Sequence, residues 1–482
     1  MDNLINTFLQ KNNLDNTIPF HMPGHKRNRA LLDMDERHFL EIDITEIAGA
    51  DNLLNPEGII KETQTGLSRL FGAEQTFMLV NGASAGILAA ILTCCADRGG
   101  LLLTRNSHLS AYNGAILADA NIAYVYPEMT SEGIAGGVAP QHVDALLTRH
   151  KHIRAVLIVS PTYEGICSDI RQIANITHKH DKVLIVDEAH GAHFAFHAAF
   201  PETAMAQGAD IAVQSLHKTL PALTQSALLH VQGGRVDRAL LARCLAMVQT
   251  TSPSYLLMAV MEKCGALLAE QGGALFEQYV GLLQAARRGF PSDQAVRLLE
   301  ICAAKPQDAI FDLDISKFVF LIRSTHLSGS AFMDMLRRTH GIELEMCGPH
   351  HALALSTVAD KPTWLNRLQS AVAHVNKSLI FSDKTFTMMS NIQNVPQIYS
   401  MREAAFKPGI LKPLADCVGK AATGFVVPYP PGIPLIAPGE MITAALLDEL
   451  TRLIDSGIAV TGIEQGCLAV VDQTPSYMKE VE

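Results

Sequence analysis

Ile211-Ala212-Val213-Gln214-Ser215-Leu216-His217-Lys218-Thr219-Leu220-Pro221 is the stretch on which the fold turns. Its first three residues form an apolar run that predicts a buried strand. A polar cluster follows at once, Ser215, His217, Lys218 and Thr219, and Pro221 closes it. Taken alone, a lysine in such a turn belongs in water. What overrides that reading must come from the rest of the chain.

Working outward, the same layout recurs. Val183 to Val186 is apolar and ends in Asp187-Glu188-Ala189-His190-Gly191. Ala155 to Ser160 ends in Pro161-Thr162-Tyr163-Glu164-Gly165, and Gly100 to Thr104 leads into Arg105-Asn106-Ser107-His108-Leu109-Ser110. Thr76 to Val80 runs straight into Asn81-Gly82-Ala83-Ser84-Ala85-Gly86. Ala123 to Tyr126 and Ala227 to Val231 are further strands. Helical spacing separates them at Glu62 to Phe71, Ile87 to Cys95, up to Leu117, and Ile170 to His180. Continuous apolar strands alternating with helices predict an α/β fold whose mostly parallel sheet is covered on both faces. In such sheets ligands gather at the C-terminal ends of the strands. Ser84, His108, Thr162, Asp187, His190, Ser215, His217 and Lys218 all fall there.

Composition narrows the function. A chain of 482 residues is too long for one ordinary core, so two or three domains are expected. Charged residues make up 18% and apolar ones 48%, which suits a compact chain. The net charge of −10 argues against nucleic acid as a partner. No apolar run reaches membrane-spanning length, and the N-terminus lacks a leader pattern. Nine scattered cysteines without a Cys-x-x-Cys pair point to reduced thiols and a cytoplasmic location. No metal site is called for.

Beyond the sheet, helical patterns run from Val236 to Met247 and from Tyr255 to Leu268, with helical text to about Leu299. Phe311 to Leu321 and Ala352 to Ser356 resemble strands, with a helix at Ser330 to Thr339, so a smaller α+β unit follows. The boundaries drawn are an N-terminal arm over 1–60, a large domain over 61–299, a small domain over 300–384 and a C-terminal domain over 385–482.

Asp187-Glu188-Ala189-His190 admits two readings. A helicase box would need an upstream Gly-x-x-x-x-Gly-Lys-Ser/Thr loop, and the only candidate turn, Gly82 to Gly86, has no lysine. The other reading joins Asp187 to Lys218, one strand over. A lysine amine can form a Schiff base with an aldehyde cofactor, and a carboxylate can keep a pyridine nitrogen protonated, which are the protein's tasks with pyridoxal phosphate (PLP). The small-residue turn at Ser84, Ala85 and Gly86 suits the phosphate. Ser215 and His217 are in reach of it, and His108 offers a flat partner for the ring.

Ser-Leu-His-Lys-Thr-Leu-Pro-Ala-Leu-Thr-Gln at 215–225 resembles the lysine signature of the Orn/Lys/Arg decarboxylases. So do Pro23-Gly24-His25-Lys26, Asp43-Ile44-Thr45-Glu46, Asn55-Pro56-Glu57-Gly58, Thr251-Ser252-Pro253-Ser254-Tyr255 and Pro428-Tyr429-Pro430-Pro431-Gly432-Ile433-Pro434. The resemblance spans nearly the whole chain and is to the short form common in Gram-positive bacteria. It implies a PLP-dependent transferase-like (aspartate aminotransferase-like) large domain and a homodimer with shared active sites. Its site residues would be Lys218 carrying the cofactor, Asp187 at the pyridine nitrogen and His108 on the ring. His190 would sit near the phenolic oxygen, and Ser84, Ala85, Gly86, Ser215 and His217 around the phosphate. His217 or Lys218 would return a proton, and Thr251 and Ser252 would reach the partner's phosphate. Glu345, Glu343 or Glu46 would meet a cationic substrate side chain, with Thr162 nearby. Ile87, Leu109 and Cys347 depart from the family's usual text. The implied reaction is decarboxylation of a basic amino acid toward polyamines, with arginine ahead of lysine and ornithine. Another PLP reaction, or a PLP-binding paralogue without turnover, is the alternative.

Overall fold

Strands Gly100–Thr104, Ile153–Val159 and Val183–Asp187 carry apolar side chains at successive positions, and both faces of their sheet must therefore be covered. The computed structural model describes residues 17–31, 39–301, 309–324, 327–380, 395–429 and 432–472. In chain order its first strands are β1 (Ile18–Phe20), β2 (Gln75–Leu79), β3 (Gly100–Thr104), β4 (Asn121–Val125), β5 (Ile153–Val159), β6 (Ile166–Cys167), β7 (Val183–Asp187), β8 (Ile211–Gln214) and β9 (Ala227–Val231). Seven of them form one sheet in the order β2-β9-β8-β7-β5-β3-β4. Pairings from β8 across to β4 are parallel, and within this sheet β9 runs against the rest.

Alternation explains the unbroken apolar text. Leu101, Leu103, Leu157, Ile185 and Val213 pack on one face with Ile87, Ile91 and Tyr112. Leu102, Val156, Ile158, Leu184, Val186 and Ala212 point to the other, against Val143, Leu147, Ile170 and Ile173. Each such buried leucine, isoleucine or valine contributes roughly 1.5–3 kcal/mol of hydrophobic stabilisation. The first face is covered by helices Gly82–Cys95, Leu109–Leu117 and Arg238–Val248, the second by Pro140–Arg149 and Ile170–Lys179. Helix Pro140–Arg149 was not legible as such, because only Val143 and Leu147 of its ten residues are buried.

The helical text from Tyr255 is one helix of 34 residues, Tyr255–Arg288, capped by the Ser254 side chain on the N–H of Leu257. It leads to β10 (Val296–Leu298), β11 (Asp312–Leu313), β12 (Lys317–Ile322), β13 (Ile342–Leu344), β14 (Met346–Cys347) and β15 (His351–Leu355). An antiparallel sheet β10-β12-β15-β14 forms the second unit, with helices Gly329–His340 and Pro362–Asn376. The run from Phe311 to Leu321 is two strands rather than one. β11 pairs with β6 of the large unit, and a turn at Asp314–Ser316 reverses into β12. Asp314 is buried there and held by Lys317 Nζ at 2.9 Å and His193 Nε2 at 3.1 Å.

The N-terminal arm is part of this core. β1 pairs in parallel with β13, and Phe20 and Lys26 are buried. Further on, β16 (Gly409–Pro413), β17 (Val427–Pro428), β18 (Val460–Thr461) and β19 (Cys467–Val471) surround helix Ala444–Asp455 over a separate apolar cluster. Pro430 and Pro431, and the boundary drawn near 385, lie outside the described residues. Among the described residues no helix is long and apolar enough to cross a membrane.

Candidate active site

The C-terminal ends of β2, β3, β5, β7 and β8 open into one cavity of about 980 Å³. Ser84, His108, Thr162, Asp187, His190, Ser215, His217 and Lys218 all line it, and Glu345 faces them from the small unit. Ala85, Gly86, Glu46, Thr251 and Ser252 do not.

Lys218 lies on the one-turn helix Leu216–Thr219 directly after β8. Its Nζ stands 3.0 Å from Nε2 of His190. Burial lowers the lysine pKa, while the carboxylates of Asp187 and Glu345 pull it back up. His190 is buried and pushed well below the ordinary histidine value, first by burial and then by Lys218 and Lys317. It is therefore neutral, and its Nε2 lone pair accepts from the Lys218 amine. The Tyr163 ring packs 4.4 Å from the His190 ring and fixes that edge.

Asp187 ends β7, in register with Val159 of β5 and Val213 of β8. Its Oδ1 accepts from the N–H of Ala189 at 3.2 Å. The next residue points away. Glu188 is buried, accepts from Gln214 Nε2 at 2.7 Å and from the N–H of Ala204 at 2.7 Å, and burial pushes its pKa up to about 8. The Asp-Glu pair is thus split between cavity and scaffold, unlike an acid pair sharing one metal.

Helix Gly82–Cys95 starts at the cavity with no side-chain cap from Asn81, and Gly82 has φ +72. Gly82, Ala83 and Ser84 line the wall, so the uncapped N–H groups of this first turn suit a phosphate. Ala85 and Gly86 turn inward. A Cβ on Gly86 would meet Leu79 Cδ1 at 2.7 Å and Val213 Cγ1 at 2.9 Å, so this glycine serves close packing on the sheet. Ile87 is buried beside it.

His108 caps helix Leu109–Leu117, its Nδ1 accepting from the N–H of Ser110 at 3.2 Å. This pins the ring while leaving it exposed to the cavity. Burial and the Lys218 charge lower its pKa against the pull of Asp187. His217 donates Nδ1–H to the Ser226 carbonyl at 3.0 Å, and burial lowers its pKa to about 4. Ser215 is buried and makes no capping bond.

Glu345 is held at both oxygens. Tyr163 donates its hydroxyl to Oε1 at 2.5 Å, and the N–H of Met22 donates to Oε2 at 2.8 Å. Thr162 lines the wall but spends its Oγ1 on the N–H of Ile166 at 3.2 Å. Glu343 lies elsewhere, doubly bonded to Arg337 at 2.6 and 2.7 Å. Glu46 is half-buried outside the cavity. Thr251 and Ser252 are exposed in the turn before helix Tyr255–Arg288.

Three features escaped the sequence reading. Tyr163 stood in a quoted motif, but nothing local tied it to Glu345. Arg105, also quoted, is buried and donates to Tyr112 Oη, to the carbonyls of Pro434 and Leu435 and to Glu440 Oε2, all within 3.1 Å. It thereby ties the C-terminal unit to the cavity rim, where Leu109 N–H donates to the Gly432 carbonyl at 3.1 Å. Gly24 donates its N–H to the His217 carbonyl at 2.6 Å and accepts from Thr357 Oγ1 at 2.7 Å, wedging the arm behind the lysine turn.

The donor set fits PLP: an amine at Lys218, a carboxylate at Asp187, a flat ring at His108 and an uncapped helix start at Gly82 to Ser84. Comparison with known proteins points the same way. A family described as Orn/Lys/Arg decarboxylase, major domain, matches residues 4–314, and its C-terminal domain matches residues 401–465. The arginine decarboxylase of Bacillus anthracis is 33% identical, over 98% of this chain and 97% of that protein. That of Bacillus subtilis is 31% identical, over 96% of each. Among solved structures, the constitutive lysine decarboxylase of Escherichia coli superposes with a TM-score of 0.77 at 20% identity, over 97% of this chain and 84% of that one. An L-threonine transaldolase from Pseudomonas fluorescens gives 0.60 at 14% identity, over 78% and 87%.

Proposed function

The chain belongs to the Orn/Lys/Arg decarboxylase family, and from that premise we propose that it converts L-arginine to agmatine and carbon dioxide with PLP bound at Lys218. The observation that carries the site assignment is the half-buried Lys218 amine, 3.0 Å from Nε2 of His190 in a cavity that Asp187, on the neighbouring strand, and Glu345 also line. L-Lysine and L-ornithine are the runner-up substrates, lysine being supported by the lysine decarboxylase of Escherichia coli at 24% identity.

PLP bound there supplies an aldehyde carbon and a protonated pyridine ring that takes up the electron pair left when the carboxylate departs. The chain's own groups do the rest. Its lowered pKa lets Lys218 present a larger share of free amine as nucleophile. Nε2 of neutral His190 accepts from the Lys218 amine and orients it. Asp187 would hold the proton at the ring nitrogen. His108 bounds one face of the slot, and the first turn of helix Gly82–Cys95 with Ser215 would hold the phosphate. His217 is neutral near pH 7, so Lys218 is the better donor of the proton that replaces the lost carboxylate. Glu345 receives the cationic end of the substrate.

Thr251 and Ser252, exposed away from their own cavity, are assigned to the partner's phosphate in a homodimer. A cytoplasmic location is part of the proposal, supported by eight described cysteines that are all free thiols.

The test is a panel of L-arginine, L-lysine and L-ornithine with PLP, read by carbon dioxide release and amine identity. Agmatine from arginine at the highest kcat/KM is expected. A keto acid in place of carbon dioxide would mark a different PLP reaction, and no product from any of the three would end the decarboxylase reading.

A further inference from the structure

The cavity does not stop at Glu345. It continues along the β14–β15 hairpin to Glu164 and His351, with Ile134 and Met346 as apolar walls. The His351 side chain is only 8% exposed, yet among the described residues neither ring nitrogen makes a hydrogen bond. Glu164 Oε1 stands 3.7 Å from its Nε2, beyond hydrogen-bond reach. A buried imidazole and a carboxylate that nearly meet without satisfying each other leave room for one shared donor group. Glu164 also directly follows Tyr163, whose hydroxyl is committed to Glu345. The two carboxylates therefore flank one tyrosine along the same wall.

Cation chemistry separates the two positions. An ammonium gathers three donors on one nitrogen and is served by one carboxylate. A guanidinium spreads five N–H donors over a rigid plane, and one carboxylate takes two of them in a fork. The outer donors then need acceptors further along the wall. Glu345 already accepts from Tyr163 and Met22 and cannot serve them all. We infer that Glu164 and His351 form a distal subsite for the outer N–H groups of a guanidinium, and that this pair selects arginine over lysine and ornithine. The inference rests on reading the chain as a basic amino-acid decarboxylase.

The experiment measures kcat and KM of the PLP-loaded wild type, E164Q and H351L with L-arginine, L-lysine and L-ornithine. In both variants kcat/KM for arginine falls by about tenfold or more, carried by KM, because buried acceptors discriminate strongly for their donors. With lysine and ornithine both variants stay within about threefold of wild type. Calorimetry of agmatine against cadaverine gives a second readout: both variants weaken agmatine and leave cadaverine alone. A merely structural role moves all substrates together, and that result, or unchanged arginine kinetics, overturns the inference. So does a wild type that prefers lysine. If H351L does not fold, H351F, which also lacks an acceptor, is read by the same rule. A wild type that releases carbon dioxide from none of the three overturns the decarboxylase reading instead, so the two failures are distinguishable.

Discussion

The cavity has two unlike walls. The proposed cofactor wall, with Ser84, His108, Asp187, Ser215 and Lys218, comes from the ends of strands and starts of helices within one sheet unit. The proposed substrate wall around Glu345 is assembled from three distant segments: the arm at Met22, the loop at Tyr163 and Glu164, and the hairpin at Glu345 and His351. One wall follows from a local rule repeated strand by strand. The other exists only when the arm, the large unit and the small unit are all in place. The cofactor wall should therefore fail by loss of a single group, and the substrate wall by loss of alignment.

The largest effect tests the first half of that contrast. Lys218→Ala removes the nucleophile while leaving its turn intact, and turnover should fall by about 10⁴-fold or more. The visible absorbance of the PLP-loaded protein should vanish with it, and the thermal midpoint without cofactor should change little. A variant that keeps both absorbance and turnover would move the cofactor off Lys218.

Gly24→Ala breaks the coupling between the walls. A Cβ at this position would meet the Leu220 carbonyl oxygen at 2.7 Å and the Leu220 nitrogen at 2.9 Å, all backbone, so no rotamer change relieves it. Either the arm or the lysine turn must shift. The overpacking is expected to cost about 1–3 kcal/mol of stability. A displacement near 1 Å at the reacting group would lower turnover by about 100-fold. Because Met22 also holds Glu345, KM should rise in the same variant. If kcat and KM are both unchanged while the protein is destabilised, the arm is a passive strap.

Glu345→Gln is milder. It keeps oxygen and shape but removes the charge, and a charge-assisted hydrogen bond is worth about 1.5–3 kcal/mol. KM for a basic amino acid should rise by about 10- to 100-fold, with kcat falling less. Equal losses in kcat and kcat/KM would instead assign Glu345 to the chemical step.

The same contrast explains what the chain revealed before its structure. The sheet was legible because alternating burial on two covered faces leaves an unbroken apolar run, and because a polar residue after each run is hard to explain otherwise. Asp187 and Lys218 were expected one strand apart, and β7 and β8 are indeed neighbours. Glu345 was visible only through a resemblance. Its partners Met22 and Tyr163 lie 323 and 182 residues away, and no periodicity spans such a gap. Gly86 shows the converse: a small residue in a phosphate-like turn is also what close helix-on-sheet packing demands, and the contacts of its absent Cβ decide for packing.

The smallest expected effect lies beneath the cofactor wall, in the buried chain Thr76–His230–Gln214–Glu188. Thr76 donates its hydroxyl to His230 Nδ1 at 2.8 Å, His230 Nε2–H donates to Gln214 Oε1 at 3.1 Å, and Gln214 Nε2 donates to Glu188. Burial lowers the His230 pKa from 6.5 to about 3 and raises that of Glu188 from 4.5 to about 8. The signs oppose. Between pH 6.5 and about 3 the unfolded chain protonates His230 and the folded one does not, so stability falls as pH falls, by up to about 1.4 kcal/mol per unit. Between pH 4.5 and about 8 the folded chain keeps the Glu188 proton that the unfolded one loses, so stability falls as pH rises. Where the windows overlap, from 4.5 to 6.5, the two slopes cancel. His230→Gln should therefore flatten the acid limb of a stability–pH profile, and Glu188→Gln the alkaline limb, as read by denaturant midpoints at fixed salt. Neither residue lines the cavity, so turnover near pH 7 should stay within about threefold if both variants fold. If Glu188→Gln were to abolish turnover while leaving the midpoint intact, the division of the Asp187–Glu188 pair into a cavity acid and a scaffold acid would be wrong.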